Sequence, residues 1–151
     1  MTPVPFNFPD VQQDDDFFEY SIEFDALAAG DVQQGNIQIQ QDSDFYWVKS
    51  QYQANIDGNS DGYTYLAAPI PLVTVQIVDQ TSQWQLFFSP VPVSSCFGRG
   101  ILPFILPRPR KFVRLSAIGI TVSNFSAATT YDLRLVFSGI KSFGYGGRAL
   151  R

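Results

Sequence analysis

Carboxylates are the first residues to weigh for chemistry in this chain, because it contains no histidine and a single cysteine, Cys96. Imidazole as base, proton shuttle or zinc ligand is therefore excluded, and a lone cysteine makes neither an intrachain disulfide nor a CxxC redox or metal pair. Ser-His-Asp, Cys-His and His-metal mechanisms fall away. A glycosidase needs only two acids, and the only glutamates, Glu19 and Glu23, lie on one face of one strand. Four residues at ~3.3 Å each put them about 13 Å apart. Retaining pairs sit about 5 Å apart and inverting pairs at most about 9.5 Å, so this spacing fails and a solvated strand face explains both residues. A hydrolase would need an Asp pair across loops, and no aspartates are singled out for it.

Three further clusters have ligand-binding chemistry. Asp57-Gly58-Asn59-Ser60-Asp61-Gly62 places oxygens of Asp57, Asn59 and Asp61 at positions one, three and five and glycine at six, as calcium loops do. Position twelve is Ala68 instead of a bidentate glutamate, and the same residues suit a strand-connecting turn, which is the preferred reading. Arg108, Arg110 and Lys111, with Arg114 and nearby Phe104 and Phe112, could grip phosphates and stack bases, but the pI near 4.5 disfavours a nucleic-acid binder. Tyr46, Trp47, Tyr52, Tyr63, Tyr65 and Trp84 could line a sugar-binding face, though in a sandwich such residues belong more often to the core. Gly144-Tyr-Gly-Gly-Arg lacks a following helix or P-loop lysine, and Cys96 reads as a small apolar filler. No cofactor is expected.

These groups are carried by strands. In 151 residues, 45% hydrophobic and 16% charged, one folded domain is expected. Apolar residues alternate in Phe17 to Phe24, Asn36 to Gln40, Asp44 to Ile56, Leu72 to Val78, Gln83 to Phe88, Ala117 to Ser123 and Tyr131 to Ser138. In the third of these, Tyr46, Val48, Tyr52, Ala54 and Ile56 take one side and Phe45, Trp47, Lys49, Gln51 and Gln53 the other. Turn residues separate the strands and no amphipathic helix competes for the core, which predicts an all-β, jelly-roll-like antiparallel β-sandwich.

Residues 1–16, with Pro3, Pro5, Pro9 and Asp14-Asp15-Asp16, are expected to form an extended N-terminal arm ahead of a sandwich at 17–141 and a tail at 142–151. The Pro-rich stretch 89–111 holds either one internal strand at 99–106, the preferred reading, or a surface that packs on another subunit. Glutamines at 38, 40, 51, 53, 83 and 85 leave outward faces neutral and suited to wet subunit contacts or solvent. Residues 1–80 sum to −12 and residues 81–151 to +8, so opposite-sign surfaces can pair within a subunit or between copies. The N-terminus has no signal-peptide pattern and no stretch approaches 18 apolar residues, so a soluble chain made in the cytoplasm, with no membrane partner, is expected.

Phe18-Glu-Tyr-Ser-Ile-Glu-Phe-Asp-Ala-Leu-Ala-Ala-Gly, Ile37-Gln-Ile-Gln-Gln-Asp-Ser-Asp-Phe-Tyr-Trp and Ile118-Gly-Ile-Thr-Val-Ser-Asn-Phe through Ser138-Gly-Ile-Lys cover about half the chain. They resemble small β-sandwich virion proteins of tailed bacteriophages. The resemblance implies a non-enzymatic virion component made in the host cytoplasm, a capsid decoration (cement) protein or a neck or collar component. Its partners would be itself, as a homo-oligomer with a trimer favoured, and major capsid or neck proteins. Phe6, Phe8, Asp14, Asp15, Asp16, Arg108, Arg110 and Lys111 are the expected contact residues. The alternative is a tail-appendage module that binds a receptor or glycan.

Overall fold

The structure, a computed structural model, describes residues 16–56 and 70–143. Nine strands and one helical turn follow in chain order: β1 (Asp16–Leu27), β2 (Val32–Gln38), β3 (Asp44–Ile56), β4 (Val73–Asp79), β5 (Trp84–Gln85), β6 (Val91–Pro92), α1 (Val93–Cys96), β7 (Phe104–Phe112), β8 (Ala117–Asn124) and β9 (Tyr131–Ser142). They form two sheets. One has the order β1-β9-β3-β7; the other runs β2-β8-β4, with the short β5 and β6 both pairing with β4. Every strand pairing is antiparallel. First strand lies beside last and second beside second-last. The expected all-β sandwich is the fold.

The core is the apolar phase of each strand. Phe24, Leu27, Phe45 and Phe137 of one sheet and Ile77, Ile118 and Ile120 of the other are all buried. Burying each such side chain contributes about 1.5–3 kcal/mol before ordering costs. Turn chemistry closes the strands where the residues demand it: Gly30, at φ +82, completes the Ala29-Gly30-Asp31 turn between β1 and β2.

Several boundaries differ from expectation: β2 runs Val32–Gln38 instead of 36–40, and β1 continues to Leu27 past the expected Phe24. Asp16 is not in the arm: it opens β1, opposite Lys141. At the other end β9 extends to Ser142, one residue into the expected tail. The strand placed at 99–106 is instead Phe104–Phe112, so Arg108, Arg110 and Lys111 sit on a sheet edge. Proline is tolerated there because an edge strand has backbone groups with no ladder partner. Only Trp84–Gln85 of the expected strand 83–88 pairs.

The β3 alternation also changes phase. The β3–β9 and β3–β7 ladders both skip between Trp47 and Lys49, leaving Val48 as a bulge. Phe45 and Trp47 are consequently buried on the inner face, and beyond the bulge Ser50, Tyr52, Ala54 and Ile56 continue that face. The expected grouping of Tyr46 and Val48 with Tyr52 is corrected accordingly.

Candidate functional site

Among the described residues, three acids of the N-terminal half meet four bases of the C-terminal half inside the subunit. Glu23 pairs with Arg134, Asp42 with Lys141, and Asp44 with both Lys111 and Arg114. Each pair joins an acid of the N-terminal half to a base of the C-terminal half. Burial alone would raise the Asp44 carboxyl, but the Arg114 N–H hydrogen bond and the Lys111 and Arg114 charges outweigh it and hold it below its ordinary value. Glu19 accepts a hydrogen bond from Ser138, so both glutamates of β1 are engaged with residues of β9. Asp132 accepts the Ala26 N–H at 2.8 Å and holds the β1 bulge. These carboxylates hold structure.

Arg108 and Arg110 of β7 lie outside these pairs. Among the described residues no ion pair engages Arg108 or Arg110, and the Arg110 Nε is buried without a hydrogen-bond partner. Their position follows from the prolines around them. Ladder partners jump from Arg110 opposite Trp47 to Ile105 opposite Lys49, so residues 106–109, with Pro107 and Pro109, have only Val48 facing them. A proline has no N–H for the ladder, and the segment leaves it.

The displaced segment forms one wall of a cleft of about 550 Å³ where the sheets part between β7 and the β5–β6 side. Its floor is apolar: Trp47, Leu86, Phe87, Val91 and Phe104 line it, with Cys96 of α1 beneath and Arg108, Arg110 and Lys111 at the rim. Trp47 is fixed by its Nε1–H bond to the Lys49 carbonyl at 3.0 Å and by ring contacts with Phe97, Phe112 and Phe137. Volume and lining fall within the range of ligand and peptide sites. An amphipathic anion fits this chemistry: an aromatic or aliphatic body for the floor and a carboxylate for the guanidinium.

Cys96 does not add reactivity to the cleft. Burial pushes its thiol up to about 12, so at pH 8 it is neutral and a poor nucleophile. Native protein at pH 8 is expected to resist iodoacetamide while urea-unfolded protein alkylates within minutes, read by mass spectrometry. Equal rates in both states would refute the burial argument.

Other expected sites are dispersed. Trp47 is in the core, Tyr52 packs against it from the inner face, and Trp84 lies exposed on β5 of the other sheet. Tyr46 faces outward on β3, so the described members of the proposed sugar face do not converge. Asp57, Asn59, Asp61, Tyr63 and Tyr65 lie outside the described residues, as do Phe6, Phe8, Asp14, Asp15 and the tail from Gly144. Among the described residues no cluster of three His, Cys, Asp or Glu is placed to hold a metal, and no helix is long and apolar enough to cross a membrane. Three of the outward glutamines are used inside the subunit, Gln38 donating to the Leu115 carbonyl, Gln83 donating to the Gln80 carbonyl and Gln40 accepting from Lys141. Sequence reasoning found the basic run with Phe104 beside it but missed the rest of the floor, which comes from Trp47 of β3, from Leu86 and Phe87 after β5 and from Val91 of β6.

Comparison with protein-family models, curated proteins and solved structures gave no match.

Proposed function

We propose that the chain is a non-enzymatic structural subunit of a tailed-phage particle that assembles with copies of itself, as a capsid decoration (cement) protein or, second, a neck or collar component. The observation that carries self-assembly is the distribution of charge over one sheet. Its two outer strands are β1, with Asp16, Glu19, Glu23 and Asp25 and no base, and β7, with Arg108, Arg110 and Lys111 and no acid. An acidic edge and a basic edge on opposite sides of one body favour head-to-tail contact, which closes into a ring when the rotation permits. A trimer is the favoured ring. The virion setting rests on the resemblance of the β1, β2–β3 and β8–β9 segments to small phage sandwich proteins.

A cement protein works by covering joints. Each copy adds buried area across neighbouring shell subunits, worth about 25 cal/mol per Å² of apolar surface before ordering costs, so several copies around one joint resist internal pressure. Catalysis is not needed for this.

Light scattering on the purified full chain tests the assembly step. Electrostatic reach is about 10 Å at 0.1 M salt and about 3 Å at 1 M. At the lower salt a closed oligomer is expected, shifting toward the 16.9 kDa monomer at the higher one. A monomer at every concentration and both salts would overturn the proposal.

A further inference from the structure

Among the described residues nothing fills the cleft beside β7, and the chain carries a segment with matching chemistry. Resting on the self-assembly reading above, we infer that the cleft is the docking site for the N-terminal segment, residues 3–15, of a neighbouring copy. The floor offers Trp47, Phe87 and Phe104, and the rim offers Arg108 and Arg110 with no ion pair among the described residues. Aromatic-lined grooves of this kind take Pro-rich extended peptides, whose conformation costs little entropy to fix. Residues 3–10 read Pro-Val-Pro-Phe-Asn-Phe-Pro-Asp. Asp10 follows Phe8 by two residues, about 6 Å along an extended Pro-rich chain, so a ring seated in the floor brings a carboxylate to the rim. That carboxylate supplies the acceptor the buried Arg110 Nε lacks. Asp14 and Asp15 extend the match toward Arg108 and Lys111.

Sheet order decides which copy supplies the segment. The described chain begins at Asp16 on β1, and β1 and β7 are opposite edges, three strand spacings or about 14 Å apart. Within one subunit the segment would start at the edge that packs near β2 and have to cross the sandwich to reach the cleft. When the acidic β1 edge of one copy meets the basic β7 edge of the next, the same segment starts beside the cleft it fills. Phe8 lies eight residues before Asp16, about 25 Å when extended, so reach alone permits either copy, and it is the meeting of the unlike edges in the assembly that makes the neighbour the donor.

Charge reversal in the full chain tests this by light scattering. The cleft variant Arg108→Glu with Arg110→Glu and the segment variant Asp10→Lys with Asp14→Lys are each expected to drop from oligomer to monomer with an unchanged melting transition of the monomer fold. Mixed one to one, they are expected to regain mass as alternating complexes of even copy number, since only joints between unlike copies then match, while a closed three-membered ring needs both reversals in one chain. An uncharged variant, Phe6→Ala with Phe8→Ala, is expected to weaken assembly without altering any charge, and it keeps the test open should the cleft variant fold poorly. A wild-type chain that is monomeric throughout would sink both this inference and the self-assembly reading. An oligomer indifferent to all three variants would sink the cleft docking alone. Loss of assembly in each variant, with no recovery on mixing but recovery when both reversals share one chain, would assign the segment to its own subunit's cleft and overturn the neighbour as donor.

Discussion

Alanine at Gly139 is expected to cost the sandwich about 3 kcal/mol or more, at the upper end of what overpacking does, or to prevent folding. Gly139 stands on β9 between β1 and β3, opposite Phe18 on one side and Trp47 on the other. The β3 bulge at Val48 begins at this point and brings the β3 backbone inward. A Cβ on residue 139 would run into the Tyr46 carbonyl oxygen, lie 2.8 Å from the Tyr46 carbonyl carbon and press on the Phe45 ring at 3.1 Å. None of these is the loose end of a side chain. Relief requires β3 to move away from β9, breaking ladder hydrogen bonds worth about 1 kcal/mol each and disturbing Phe45 and Trp47. Gly119 is the contrast, since a Cβ there meets only the flexible Gln80 side chain, closest at 2.6 Å. Gly119→Ala is expected to stay within about 1 kcal/mol of wild type, the lost Gln80–Asn36 hydrogen bond being offset by lower backbone entropy in the unfolded chain. Urea titrations followed by circular dichroism separate the two. Equal midpoints for Gly139→Ala and Gly119→Ala would refute the account of the bulge.

That same bulge marks where reading the residues in order stops working. Period-two alternation locates β1, β3, β4, β8 and β9 because each buries one face, and a half-buried strand must alternate. It cannot locate Val48, since the skip is a property of three strands together: Gly139 permits the close approach and Pro107 and Pro109 take the β7 ladder out of register on the other side. Proline misled in the same region. Counted as breakers, Pro107 and Pro109 ended a strand at 106, whereas at a sheet edge they only remove donors that had no partner. The basic run was legible because its members are contiguous. The cleft was not, because Trp47, Phe87 and Phe104 converge only when β3, the chain after β5 and β7 come together.

The second large effect is expected at Lys141, where the inner face of β9 carries an ammonium group. Lys141 is only 5% exposed; its Nζ donates to Gln40 Oε1 at 2.5 Å and to Asp42 Oδ2 at 3.1 Å and stands 4.0 Å over the Phe18 ring. Phe18 in turn contacts Tyr20, and Tyr20 contacts Phe45, so the charge caps one end of the aromatic core. Lys141→Glu sets a carboxylate against Asp42 and against the negative ring face, and a loss of about 4 kcal/mol is expected, as for a broken buried pair. Lys141→Met keeps an apolar stem, leaves the half-exposed Asp42 to water and should cost only about 1–2 kcal/mol. The two variants also differ from wild type in acid. Burial tends to raise the Asp42 carboxyl, but the Lys141 hydrogen bond and charge outweigh it and hold the carboxyl below its ordinary 3.8. A group depressed in the folded state stabilises fully above its unfolded value and loses that contribution as pH falls through the lower folded one. Wild type should therefore weaken progressively below about pH 4, and Lys141→Met should show a shallower acid limb, with Asp44 still contributing its share. Superimposable acid limbs for wild type and Lys141→Met, or a Lys141→Glu variant as stable as Lys141→Met, would show that the ammonium does not hold this end of the sandwich together.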